Sequence, residues 1–213
     1  MKSRTKLSEE ELNSSIKFIE DTPFNIGVLS LSQAKDCLSQ WRGYGDYAIV
    51  FDFNKLNSLL KNRRFKYGLT QCLYEKKDQE SATDEFIKNI NINPTLIGSG
   101  SDHLQINIQD YILKTGLAIK NKSFSEELEW RAISEIINSS WNEQHHSWKK
   151  EKDQCLYLEF DLSNDNNELP ISAIMIGPVQ NKESKKLDME KFLKLLNLNI
   201  PVLISTIPYR GKL

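Results

Sequence analysis

Cysteine is scarce in this chain. Cys37, Cys72 and Cys155 are far apart, odd in number and form no CxxC pair. That argues against a disulfide framework and fits reduced thiols in a cytoplasmic protein. No apolar run approaches the roughly 20 residues a membrane helix needs. The opening MKSRTKLSEEELNSS lacks the apolar core of a secretory signal. Neither sign of charge dominates: the net charge is -1, so no global basic field favours nucleic acid. There is no GxGxxG, no P-loop and no GxSxG elbow. The three histidines, His103, His145 and His146, show neither HxxxH nor HxH spacing, which argues against a zinc site and leaves the reading without a metal. Internal repeats and long low-complexity segments are missing as well.

What is present reads as globular. The 213 residues are 39% hydrophobic and 27% charged, enough to bury a core without metal or disulfide. Residues 1–23 predict an amphipathic helix. Ser8 is its cap, Glu9, Glu10 and Glu11 fill its first turn, and Leu12, Ile16 and Ile19 lie on one face. Residues 24–213 read as a single α+β domain with a mixed or antiparallel sheet and flanking helices, because several strands follow one another closely.

The densest run of specific residues is Val28–Phe53. Val28, Ser30 and Ser32 face one way on a strand, and Leu29 and Leu31 the other. Ser32 is expected to cap a short helix containing Ala34, Lys35, Leu38 and Trp41, which Gly43 and Gly45 end. Ala48–Phe51 reads as a buried strand, and Asn54 opens a helix carrying Leu56, Leu59 and Leu60. Further strands are expected at Leu69–Tyr74, Cys155–Leu162, Leu169–Ile176 and Val202–Ile207. Helices are expected over His103–Ala118 and Leu187–Leu196, and Ser139–Asp153 reads as a loop or hairpin arm.

Five groups could carry chemistry. Glu127, Glu129 and Arg131 fall on one side of a predicted strand, the two carboxylates about 7 Å apart by strand rise. In a cleft such a row could hold a hydroxyl and stabilise a developing positive charge, or bind a cation. From periodicity alone the plainer account is a solvent-facing charged strand. Ser30 and Ser32 could hydrogen-bond a ligand amide or sugar, or serve only as strand edge and cap. Trp41, Tyr44 and Tyr47 could stack on a flat ring, or pack a turn. Arg42 could grip phosphate bidentately, or pair with Asp36 or Asp46. The cluster Arg63, Arg64 and Lys66 is most simply a solvated face, with a phosphate contact as the sharper alternative.

The combination Leu29-Ser30-Leu31-Ser32, Asp36, Gln40-Trp41-Arg42-Gly43-Tyr44-Gly45 and Ile49-Val50-Phe51 resembles a mainly bacterial family, domain of unknown function 2971. Phe124–Arg131 with its E-x-E-W-R, Ile174–Pro178 and Ser205–Arg210 extend the resemblance from about Phe24 to Arg210. Family members usually open with a His-Tyr-Thr strand and an Asn-Asp motif similar to the first strand of ADP-ribosyltransferases. This chain has no histidine before His103: either the gene product is truncated, or a protein partner supplies that strand, or the chain has no NAD activity.

The resemblance implies an ADP-ribosyltransferase-like fold and a bacterial effector, toxin or phage-defence protein. Its activity would be that of an NAD-dependent ADP-ribosyltransferase or NAD glycohydrolase, with NAD or another nucleotide as substrate and no metal. Glu129, with Glu127 beside it, takes the catalytic place. Ser30, Ser32 and Tyr44 shape the pocket wall, and Arg131 or Arg42 meets pyrophosphate. The alternative is a non-catalytic ligand-sensing or protein-interaction module of the same fold. A nucleic-acid reading built on Arg63, Arg64, Lys66, Trp141 and Trp148 meets the objection of near-neutral charge.

Overall fold

The structure is a computed structural model, and it describes residues 9–21, 24–62, 67–92, 112–135, 137–138, 148–150, 156–158, 161–164, 168–209 and 211. These fall into two compact units. The first gathers Met1–Leu31, Tyr67–Ser125 and Glu129–Glu159, and the second Ser32–Lys66, Glu126–Leu128 and Phe160–Leu213. The architecture is α+β in both.

The first unit begins with helix α1, Glu9–Asp21, as the apolar spacing predicts. Ile16 on it is exposed. Strand β1, Phe24–Asn25, leads to β2, Val28–Ser32, whose burial alternates as expected: Val28, Ser30 and Ser32 are exposed, Leu29 and Leu31 half-buried. The unit's sheet continues with β4, Tyr67–Gln71, and β5, Glu129–Ser134. The strand order is β2-β5-β4, and β4 runs antiparallel to β5 from Tyr67 opposite Ser134 to Gln71 opposite Trp130. As the central strand, β5 is buried at Ala132, Ile133 and Ser134 on both of its faces. β4 starts two residues earlier than the apolar run Leu69–Tyr74 indicates. Leu73 leaves it to make an isolated parallel bridge with Ile119, just after a helical stretch over 112–118. Helix α4 covers Lys76–Ile92. β6, Ile137–Asn138, pairs with β1, while β7, Trp148–Lys150, and β8, Leu156–Leu158, form an antiparallel pair.

One predicted row is not a strand row. Lys122–Glu127 is a 3-10 helix, held by bonds from Phe124 N–H to the Asn121 carbonyl and from Ser123 N–H to Asn121 Oδ1. Leu128 then takes φ +44, a left-handed value uncommon for a leucine. β5 therefore starts at Glu129, and Glu127 never joins Glu129 and Arg131 on its face. Local bonding of the KSFSEE segment overrides its strand-like alternation.

The second unit holds α2 (Leu38–Tyr44), β3 (Tyr47–Phe51), α3 (Phe53–Lys61), β9 (Ile171–Ile176), α5 (Lys182–Leu195) and β10 (Val202–Ile204). The strand order is β10-β9-β3, with β9 parallel to β10 and antiparallel to β3. A parallel pair needs a crossover, and α5 supplies it. The helix packs on β10 and β9, around a core of Ile176, Leu193 and Val202, with Met189 and Ile174 against it. β3 lies at the sheet edge, so Ile49 is 51% exposed; the apolar run Ala48–Phe51 is thus not the buried strand its composition predicts.

Helix starts also depart from the sequence reading. Ser32 caps no helix: α2 begins at Leu38, behind Cys37, and Ser32 Oγ instead accepts from Ala34 N–H at 3.0 Å in a local turn. α3 is capped by Asp52, which accepts from Lys55 N–H, and buries Leu56, Leu59 and Leu60 on one face. α5 starts five residues before Leu187, from Asn181 in the left-handed region with no capping side chain, so no cap residue marks its start in the sequence. Gly45 ends α2 at φ +111. Among the described residues no helix is long and apolar enough to cross a membrane. Most of His103–Ala118, the Arg63-Arg64-Lys66 cluster, all three histidines, Cys155 and Trp141 lie outside the described residues.

Gly177, just after β9, lies so close to Trp41 that an added Cβ would sit 2.7 Å from the indole. Gly177→Ala is expected to cost about 1–3 kcal/mol through overpacking, read as a lower urea midpoint. The control Gly68→Ala, where a Cβ meets nothing within 4 Å, should stay within about 0.5 kcal/mol of wild type.

Candidate functional site

Burial singles out one carboxylate. Glu129 opens β5 with only 4% of its surface exposed, and an ionised group in that position must find partners. It has them on four segments of the first unit. Arg131, two residues along the same strand face, donates from Nε to Oε1 at 2.9 Å and more weakly from a terminal nitrogen to Oε2 at 3.4 Å. Lys120 donates its ammonium to Oε2. Ser30, on the neighbouring strand β2, donates its hydroxyl, and the buried Cys72 donates its thiol.

The surrounding backbone fixes this group from behind. Cys72 N–H bonds the Glu129 carbonyl at 2.9 Å, and Glu129 N–H donates to the Tyr74 hydroxyl at 2.8 Å. Arg131 is anchored at its far end on the Leu117 carbonyl. Lys120 arrives through the Leu73–Ile119 bridge, donating its N–H to the Leu73 carbonyl at 3.1 Å. Its ammonium also stands over the Phe124 ring, 5.1 Å from the centroid.

Electrostatics follow from these contacts. Burial pushes the Glu129 carboxyl up, but the hydrogen bonds from Arg131, Lys120 and Ser30 outweigh it and bring the group to about 2. Arg131 is held still more firmly protonated by Glu129. Burial, and then the charge of Glu129, raises the Cys72 thiol, which makes it a poor nucleophile at neutral pH. Burial likewise raises Tyr74. The cluster is thus a fixed anion between two cations, with three neutral donors or acceptors around it. A carboxylate this acidic is not a proton shuttle at neutral pH; its chemistry is electrostatic.

A second polar cluster orders the second unit. Asp36 accepts from Trp41 Nε1 and Ser205 Oγ, both at 2.7 Å, and from the Thr206 N–H and hydroxyl at 2.9 and 3.1 Å. Burial raises its carboxyl, yet these bonds together hold it below the usual carboxylate range. Ser205 is buried and also accepts from Ile207 N–H. This is a brace that ties the loop after β2 to the end of β10, and it leaves Asp36 no free oxygen for a ligand.

The residues expected at the site therefore divide. Ser30, Glu129 and Arg131 meet. Ser32 bonds the backbone carbonyl of Glu127 at 2.6 Å, not its carboxylate. Arg42 and Tyr44 are exposed on α2, Tyr44 by 80%. Arg42 has no share in either nearby aspartate: Asp36 is taken by the brace, and Asp46 pairs with Lys185 at 3.0 Å. Of the aromatic cluster, Trp41 packs on Gly177, and Tyr47 lies under the Lys185 ammonium. Sequence reasoning missed Lys120, Cys72 and Tyr74. Lys120 reaches Glu129 through a single long-range bridge that no periodicity announces. An open depression at the start of α5, lined by Val179, Lys182 and Tyr209 among others, holds none of the expected site residues. Among the described residues no group of three or more His, Cys, Asp or Glu could hold a metal.

The acidity of Glu129 sets a pH signature. Its folded value lies below the ordinary 4.5, so its contribution to stability is complete above about pH 4.5 and is lost as the pH falls through about 2. At about 1.4 kcal/mol per tenfold change in proton affinity, the effect is about 3 kcal/mol. Urea unfolding between pH 5 and 2 should show this loss in the wild type. In Glu129→Gln the loss should be smaller by that amount, from a starting stability about 3–5 kcal/mol lower because two cations lose their anion.

Comparison with known proteins adds one relationship. No curated protein and no solved structure matches the chain. Residues 40–132, which run from α2 into β5, match the family described as Protein of unknown function (DUF2971), and it is this family that the chain resembles.

Proposed function

We propose that this chain is an ADP-ribosyltransferase-like protein that handles NAD at the Glu129 cluster. The observation that carries the reading is the fixed carboxylate of Glu129. It is held ionised at the start of β5 by Arg131 and Lys120, with Ser30 of the adjacent strand as a further donor.

The chemistry suits that arrangement. The bond between ribose C1′ and the nicotinamide nitrogen breaks, and nicotinamide leaves with the electron pair. Positive charge grows on the ribose, where a preorganised carboxylate stabilises it. The oxygen of water, or a nucleophilic side chain of a target, then bonds C1′, and its proton passes to solvent, because Glu129 is too acidic to keep it. Hydrolysis alone would make the chain a glycohydrolase; transfer to a target would make it an effector of the toxin or phage-defence kind.

One observation favours a second reading. Glu129 is 4% exposed and both its oxygens are occupied, as in a buried ion network that only shapes a ligand-sensing or protein-interaction surface.

The test is nicotinamide release from NAD by the purified chain, alone and with cell lysate as acceptor. Wild type should release nicotinamide. Glu129→Gln, checked for folding by circular dichroism, should lose about 100-fold or more. Ser30→Ala, at an exposed position, should lose less, about tenfold. Calorimetric binding of NAD without release would support the second reading. Neither binding nor release would overturn both.

A further inference from the structure

We infer that Lys120 is a built-in cap on Glu129, a cation that occupies the place of the ribosyl cation until a ligand displaces it. The inference rests on the NAD reading of the Glu129 cluster and concerns how that site is regulated.

The two oxygens of Glu129 are held differently. Oε1 is bound by Arg131 Nε at 2.9 Å, and Arg131 is fixed at both ends, by its place in the central strand and by the Leu117 carbonyl. Oε2 is bound by the Lys120 ammonium, with only a 3.4 Å contact from Arg131 beside it. Lys120 comes from outside the strand, after a single isolated bridge. Its charge sits on a flexible four-carbon stem, a compact point charge that moves more readily than an anchored guanidinium. The ammonium also stands over the ring of Phe124, itself 49% exposed. Glu129 Oε2 is therefore the oxygen available for work, and Lys120 with Phe124 is what closes it.

The positions match in charge as well. A carboxylate that stabilises an oxocarbenium-like ribose needs a positive centre against one oxygen. In the resting chain that positive centre is the Lys120 ammonium. The anion of a dinucleotide diphosphate would draw the ammonium outward and uncover Oε2. Glu129 is then competent only in the fraction of molecules whose cap is open, and apparent activity is reduced by that fraction.

Removing the cap should raise activity, the reverse of what loss of an ordinary substrate-binding lysine would do. The experiment compares nicotinamide release from NAD by wild type, Lys120→Met, Lys120→Arg, Phe124→Ala and Lys120→Met/Glu129→Gln, with thermal unfolding of each. Lys120→Met should release nicotinamide about tenfold faster than wild type despite a lower Tm. Phe124→Ala, a surface truncation that spares the fold, should gain about two- to fivefold, the worth of one exposed cation–π contact. Lys120→Arg should stay near wild type, and the double variant should be inactive. If Lys120→Met does not fold, the Phe124→Ala gain decides the matter. Release by wild type with equal or lower release by folded Lys120→Met and by Phe124→Ala would overturn the cap while leaving the NAD reading in place. No release by any variant would overturn both.

Discussion

A carboxylate taken almost wholly out of water is the constraint on which the first unit depends. Left unpaired, Glu129 would cost several kcal/mol or give up its charge. Its pairing recruits residues from four places in the chain: Ser30 on β2, Cys72 just beyond β4, Lys120 after the 112–118 helical stretch, and Arg131 on β5 itself. The backbone around it follows the same need. Tyr74 and Cys72 secure the first residue of β5. The left-handed Leu128 delivers the chain to that point after the 3-10 turn. A network of this kind, fully satisfied, specifies one arrangement of its segments more than it adds net stability.

The second unit solves a smaller version of the same problem. Asp36 gathers an indole N–H, two hydroxyls and a backbone N–H, all neutral donors. The brace explains why a tryptophan and a glycine far apart in sequence are pressed together. Trp41 is held at its nitrogen by Asp36, and its ring then lies where only a residue without Cβ fits, at Gly177. Just past β10, Ser205 N–H still bonds the Ile176 carbonyl at 2.7 Å, while the Ser205 hydroxyl and the Thr206 N–H turn to Asp36.

Much of this was legible in the sequence where the signal was local. The alternation of Val28–Ser32, the three leucines of α3 and the run of β9 each declare their structure within a few residues, because burial of one face is a periodic demand. The pairing of Glu129 with Arg131 was legible too, as neighbours on one strand face. Glu127 was not, since the same alternation that reads as strand was overridden by a 3-10 turn and one positive φ. The start of α5 was hidden because Asn181 caps nothing with its side chain. Lys120 was hidden for a different reason: its role arises from the one Leu73–Ile119 bridge across the fold, and charge pattern alone cannot tell a solvated lysine from one that neutralises a buried acid.

The central claim is that Glu129 is a permanent anion locked between two cations. The most direct measurement is the side-chain carboxyl carbon of Glu129, followed by NMR through an acid titration of carbon-13-labelled protein and assigned with Glu129→Gln. The account predicts a midpoint at about 2. A midpoint near the ordinary 4.5 would contradict it, and would show Glu129 to be a solvated carboxylate without the pairing described above.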